Sequence, residues 1–235
     1  VKVIKVQNYK QLSKQAAIFI AAQMIGNPKS VLGFATGGTP EGCYAELAAL
    51  YKQGVIDFKE VTAFNLDEYY GLTGDHPQSY RHYMQHHLYS HVNVKPENTH
   101  VPDGGASDPA AECARYEKRI DAAGGIDLQL LGIGRNGHVG FNEPCDHFSS
   151  MTSLVDLTED TLDANARYFG PGESPPTTAL SMGIGSIMRA RKILLVANGP
   201  GKKDALDRMI NHPVTPTLPA SILQFHPDVT VLYCD

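Results

Sequence analysis

Short apolar runs and amphipathic stretches take turns along the whole chain. Val1–Val6 reads Val-Lys-Val-Ile-Lys-Val, an alternation that predicts a first strand at a sheet edge. Leu12, Ala16, Phe19, Ile20 and Met24 then recur at helical spacing. Asn8 precedes them as a cap with Gln11 three positions on, and Gly26-Asn27-Pro28 stops them. Further strands are predicted over Ser30–Thr36, Val61–Leu66, Ile126–Leu131, Ile193–Ala197 and Val229–Tyr233. Helices are predicted over Glu41–Lys52, Gln78–Leu88, Pro109–Ala122, Ile184–Ala190 and Lys202–Asn211. Short strands separated by helices imply an α/β fold with a mostly parallel sheet covered on both faces. The least regular stretch is Asp146–Thr178, with Gly170–Pro176 unfit for any element interior and Thr158–Arg167 a short helix. The expected organisation is one domain, 1–235, in which 146–178 is a lid insertion or a surface excursion.

The chemistry concentrates where strands give way to glycine. Residues 132–144 read Gly-Ile-Gly-Arg-Asn-Gly-His-Val-Gly-Phe-Asn-Glu-Pro and follow the strand Ile126–Leu131. Four glycines open the backbone around one imidazole, His138, and one carboxylate, Glu143. The ends of parallel strands are where open α/β sheets hold their sites. Gly132, Gly134 and Gly137 also fit the dinucleotide fingerprint, with Asp156 near the ribose position. That fingerprint needs a helix after its third glycine, and Gly140 and Pro144 oppose one.

Thr36-Gly37-Gly38-Thr39-Pro40 joins a strand to a helix. Thr39 suits the cap position and Pro40 the first helical one, and the exposed amides make an anion site with phosphate as its usual occupant. No Gly-Lys-Ser/Thr follows, so it is not a Walker A loop. Asn198–Lys203 is a second glycine-rich turn whose two lysines oppose the helix dipole unless an anion lies between them. Arg167 is a third cation near the irregular stretch. Phe64–Tyr70 ends a strand on Asp67 and Glu68, and a carboxylate there acts as a base or caps the next turn. His82/His86 and His87/His91 are spaced for a helix face, but no H-E-x-x-H accompanies them and no functional metal is expected.

Composition narrows the class. The 235 residues are 42% apolar and 19% charged, which is globular, and a net charge of −5 without a basic tract gives no nucleic-acid footprint. Neither a leader pattern nor an apolar run near membrane-spanning length occurs, so a cytoplasmic protein is expected. Cys43, Cys113, Cys145 and Cys234 are far apart and fit reduced thiols rather than a disulfide framework or a zinc site.

Taken in order and separation, Thr36–Pro40, Asn65-Leu-Asp-Glu-Tyr69 and Gly137-His-x-x-Phe-Asn-Glu-Pro144 closely resemble the glucosamine-6-phosphate deaminase family over essentially the whole chain. The resemblance implies a modified Rossmann-like three-layer sandwich with a lid segment over the site. It implies conversion of glucosamine 6-phosphate and water to fructose 6-phosphate and ammonia in amino-sugar catabolism, with no cofactor and no metal. Asp67 matches the family's base between C2 and C1, His138 the group that opens the sugar ring, and Glu143 its carboxylate partner. Thr36, Gly37, Gly38, Thr39, Arg167 and Lys202 match phosphate-binding positions, with Lys203 an alternative to Lys202. Asn136 stands where some relatives carry Asp; it is counted with the candidate catalytic residues, its direct role open. Ser150–Val155 lacks the basic residues of allosteric relatives and the chain stops after its last strand. A short, unregulated form is therefore expected, monomeric or a small homo-oligomer, with a sugar phosphate as partner and neither nucleic acid nor membrane. The alternatives are a 6-phosphogluconolactonase-like enzyme, another sugar-phosphate isomerase, or a non-catalytic sugar-phosphate sensor. Lactone hydrolysis would have no use for Asp67 as a C2 base, and a sensor would normally carry a DNA-binding helix pair.

Overall fold

Strands buried on both faces need helices above and below them, and the central runs of this chain are of that kind. In the computed structural model, which describes residues 1–166, 169–170 and 172–235 and all their side chains except those of Asp160 and Ala164, the strands Val31–Phe34 and Leu128–Leu131 are buried at every position. The strands are β1 (Lys2–Lys5), β2 (Val31–Phe34), β3 (Thr62–Asn65), β4 (Asp67–Tyr69), β5 (Thr99–His100), β6 (Leu128–Leu131), β7 (Ser153–Asp156), β8 (Thr178–Ser181), β9 (Lys192–Asn198) and β10 (Val229–Cys234). The helices are α1 (Tyr9–Gly26), α2 (Glu41–Lys52), α3 (Tyr80–His87), α4 (Pro109–Ala122), α5 (Glu159–Ala166), α6 (Ile184–Met188) and α7 (Lys203–Asn211).

Seven strands form one sheet in the order β1-β10-β9-β6-β2-β3-β5, and every pairing in it is parallel. β1 lies at an edge, as its alternating pattern predicts. From β2 the chain moves outward through β3 to β5, then returns to the other side of β2 as β6. The crevice between β2 and β6 is therefore a topological switch point, where neighbouring strand-end loops diverge and leave room for a ligand. Leu130, Leu194, Leu195 and Val231 are 1% exposed or less, and burying such a side chain contributes about 1.5–3 kcal/mol.

Helix ends follow local signals. Asn8 accepts the Gln11 amide at 3.0 Å, while the Gln11 side chain accepts the Gln7 amide at 2.9 Å. α3 starts two residues later than its apolar pattern predicts because Ser79 caps it, accepting the His82 amide at 3.0 Å. α2 keeps its predicted bounds, but Thr39 does not cap it. Pro40 occupies the cap position with helical backbone (φ −79°, ψ −10°), and the Gly42 amide bonds the Tyr9 hydroxyl at 2.9 Å instead.

A second sheet has no counterpart in the sequence reading. β4, β8 and β7 pair antiparallel, with Asp67 opposite Ser181 and Asp156 opposite Thr178. It gives the irregular stretch 146–178 a strand and fastens its first part to the body. The Gly185 and Ser186 amides donate to the Ser149 and Ser150 carbonyls at 3.0 and 2.9 Å. Buried Glu117 of α4 accepts the Thr152 amide at 2.7 Å and its hydroxyl at 2.5 Å.

Candidate active site

Four neighbouring strands, β9, β6, β2 and β3, end at one edge, and their following loops are the four glycine-rich or acidic segments of the sequence. They surround a cavity of about 770 Å³, by far large enough for a small phosphorylated sugar. Thr36 to Thr39, Asp67, His138 and Lys202 line it. Lys203 does not; it is exposed as the first residue of α7. Arg167 lies outside the described residues.

Asp67 and Glu68 divide the two roles that a strand-end carboxylate can take. Glu68 accepts the Tyr69 and Tyr80 amides at 2.9 and 2.8 Å and the Arg81 amide at 3.0 Å, so it holds the first turn of α3. Burial pushes its carboxyl up to about 7 against the pull of those amides. Asp67 lines the cavity, is 5% exposed, and has no hydrogen bond to its carboxylate among the described residues. Burial, with the Glu68 charge second, drives it up to about 8.

The loop after β6 builds the other half. No helix follows Gly137; a short bridge between Val139 and Asn142 turns the chain instead, and Asp156 lies on β7 away from the cavity, so the dinucleotide arrangement is absent. Glycine is required at two positions here. A Cβ on Gly134 would lie 2.4 Å from the His138 ring, so the imidazole rests directly on that backbone. Gly137 has φ +86°, and a Cβ there would meet Leu218 at 2.2 Å. His138 faces the cavity, whereas Glu143 and Asn136 sit behind it. His138 Nδ1 is 3.2 Å from Glu143 Oε2, and Asn136 Nδ2 donates to the same oxygen at 2.7 Å. Asn136 Oδ1 accepts the His138 amide at 3.1 Å, so one amide side chain fixes both members of the pair. The Thr161 hydroxyl of α5 donates to Glu143 Oε1. Burial pushes the Glu143 carboxyl up, but His138, Thr161 and Asn136 outweigh it and hold it down at about 2.

Tyr80, Tyr83, Asn165 and Phe169 have no sequence signal of their own, whereas Tyr69 and Phe141 stand in the motifs quoted above. Tyr80 stacks on Phe141 at 6.0 Å, Tyr69 packs on Phe141 at 5.7 Å and on Phe169 at 5.8 Å, and together they wall the cavity beside Asp67. Burial keeps the Tyr80 pKa well above the phenol range. The Tyr83 hydroxyl donates to the Gly37 carbonyl at 2.7 Å and braces the glycine turn. Thr161, Asn165 and Phe169 close one side. His82, His86 and His87 also line the cavity, but His91 bonds the His86 carbonyl oxygen at 3.0 Å. Among the described residues the only cluster of donors suited to an ion is Cys145, Asp146 and His147, all exposed, with ligand atoms within 4.8 Å of one another.

A parallel sheet that gathers a proton-hungry carboxylate, an imidazole on an anionic partner and a glycine cradle at one edge defines an α/β enzyme of proton transfer. The chain belongs to the family of glucosamine-6-phosphate isomerases and 6-phosphogluconolactonases, which it matches over residues 7–232. It is 54% identical to a glucosamine-6-phosphate deaminase of Lachnoclostridium phytofermentans over 233 residues, 99% of each chain. It is 51% identical to one of Halothermothrix orenii over 231 residues, 98% of this chain and 96% of that one. A solved monomeric glucosamine-6-phosphate deaminase superposes with a TM-score of 0.97 at 46% identity, covering 100% of this chain and 97% of that one. A 6-phosphogluconolactonase from Thermotoga maritima superposes at 0.77 with 20% identity, covering 99% and 98%, and shares the fold.

Proposed function

We propose that this chain isomerises and deaminates D-glucosamine 6-phosphate, with water, to D-fructose 6-phosphate and ammonia. The observation that carries the reading is Asp67, a cavity carboxylate whose raised pKa suits it to take a proton from carbon and hold it. His138 opens the pyranose by taking the O1 proton and delivering one to O5. Glu143 acts from behind the ring, fixing its tautomer and plane, and Asn136 holds Glu143 and the His138 backbone in place. Asp67 then removes the C2 proton while the substrate ammonium gives one of its protons to O1, and Asp67 returns the first proton to C1, leaving the double bond between C2 and nitrogen. Water adds to that imine, and ammonia leaves as the C2 ketone forms. Thr36 to Thr39 and Lys202 hold the phosphate, with Arg167 joining them as the family resemblance implies. The position of Thr36 to Thr39 on the cavity wall supports this, since the turn that leads into α2 is there for an anion, with only its Gly42 amide taken up by Tyr9.

Within the expected lid 146–178, α5 and Phe169 are the parts that line the cavity, while 149–156 is tied to the body. The enzyme is a monomer or small homo-oligomer of the cytoplasm, and the uncharged stretch Ser150–Val155 supports the absence of allosteric activation. Four free thiols fit a reducing compartment, and among the described residues no helix is long and apolar enough to cross a membrane. Ammonia release from glucosamine 6-phosphate by the purified protein, against free glucosamine and 6-phosphogluconolactone, tests the proposal. Turnover of the lactone with no ammonia from the amino sugar would replace it with the lactonase reading.

A further inference from the structure

We infer that Thr161 is a positioning residue that makes docking of α5 and completion of the His138–Glu143 pair a single event. The inference deepens the deaminase reading and rests on it for the chemistry alone. Glu143 divides its two oxygens between two parts of the molecule. Oε2 takes Asn136 Nδ2 and faces His138 Nδ1, both from the glycine-rich loop. Oε1 takes the Thr161 hydroxyl, eighteen residues further along the chain. Thr161 is itself oriented. The Thr158 hydroxyl donates to its oxygen at 3.3 Å, and the Thr161 amide donates to Thr158 Oγ1 at 3.4 Å. A hydroxyl has one proton, so an oxygen that already accepts from Thr158 directs that proton to the carboxylate.

The bond lies where water competes poorly. Thr161 is 5% exposed and the Glu143 side chain 9%. A carboxylate turns easily about its terminal bond. Donors on both oxygens fix its plane, and a fixed plane keeps Oε2 aimed at Nδ1. When α5 lifts, Oε1 loses its donor and the imidazole loses an oriented partner. Ring opening is thus enabled when the segment that excludes water is in place. Such coupling is reciprocal: if docked α5 favours the oriented carboxylate, the carboxylate favours docked α5 by the same factor.

The test is hydrogen exchange at the amides of 159–166 without substrate, in the wild type, Glu143→Ala, Thr161→Val and the double variant. Each single change should speed exchange by about tenfold, the loss of a bond to a charged group, and the double should add nothing. Thr161→Ser keeps the hydroxyl and should match the wild type. Unchanged exchange in Glu143→Ala, or additive effects in the double, overturns the coupling whatever the substrate is. In turnover, Thr161→Val should lower kcat by about tenfold with KM for glucosamine 6-phosphate within about twofold, and Thr161→Ser should restore it. A raised KM at full kcat would make Thr161 a packing residue only and overturn the inference. If the wild type releases no ammonia, the deaminase reading falls and the exchange measurement still decides the coupling.

Discussion

Asp67 and Glu143 are both acidic and both shielded within one site, yet their carboxyls are driven to about 8 and about 2. Depth is only part of the difference, although Asp67 is buried and Glu143 only partly so. Donors separate them. Glu143 is met by an imidazole, a hydroxyl and an amide, so its charge is held in every protonation state the reaction needs. Among the described residues Asp67 is met by no donor, so burial, with the Glu68 charge second, sets its proton affinity. Two carboxylates pushed apart in this way assign themselves: one exchanges a proton with substrate, the other stays an anion behind the histidine.

The largest expected effect comes from removing the proton acceptor. Asp67→Asn should cut ammonia release by about 10²–10⁴-fold while calorimetry still detects sugar-phosphate binding. In the wild type, kcat/KM should climb with pH through about 8, because only ionised Asp67 takes the C2 proton. More than a tenth of wild-type turnover in the variant would remove Asp67 from the chemistry.

Stability should carry the same contrast with opposite signs. The Asp67 carboxyl is raised from 3.8 to about 8, so its contribution is present below about 3.8 and lost as pH rises towards 8, by at most about 1.4 kcal/mol per pH unit. The Glu143 carboxyl is lowered from 4.5 to about 2, so its contribution is present above 4.5 and lost as pH falls through 2. Against the wild type, Asp67→Asn should therefore gain stability at alkaline pH. Glu143→Gln should be less stable near neutrality, with the gap narrowing in acid. Denaturant midpoints at acidic, neutral and alkaline pH read both, and parallel curves for the two variants would dissolve the contrast.

On the cavity wall the comparison is between adjacent lysines. Lys202 lines the cavity and Lys203 does not. Lys202→Ala should cost about 1.5–3 kcal/mol of substrate binding, roughly 10–100-fold in KM, while Lys203→Ala leaves KM near wild type. Equal effects from the two would move the phosphate elsewhere.

What the sequence discloses follows how local each cause is. α4 keeps its predicted bounds because its signals are contiguous: Asp108 accepts the Ala111 amide at 3.0 Å and Pro109 opens the helix. The four strand-end loops are legible for the same reason, each announced by glycine or acid after an apolar run. Which of Asp67 and Glu68 faces the cavity is not local, since it depends on amides arriving from Tyr80 and Arg81. The second sheet is hidden twice over: its strands are three or four residues long, and β4 pairs with a segment more than a hundred positions away. Thr39 fails as a cap because Tyr9, on another helix, reaches the amide that it would have taken.

The smallest effect tests whether Asn136 is only a spacer. It presents an amide N–H to Glu143 at 2.7 Å and a carbonyl oxygen to the His138 amide at 3.1 Å. Asn136→Asp keeps the second contact and turns the first into two carboxylates face to face. Like charges at that distance do not both ionise, so the pair should hold a shared proton and the Glu143 carboxyl should lose its low pKa. That proton restores the lost donor when present and leaves a repulsive pair when absent. The ratio of variant to wild-type kcat should therefore rise as pH falls, starting from a deficit of a few-fold near neutrality, about the worth of one hydrogen bond. Asn136→Ala has no proton to share and should show a deficit independent of pH. If the two variants lose the same amount at every pH, Asn136 holds the loop and leaves the ionisation of Glu143 to His138 and Thr161.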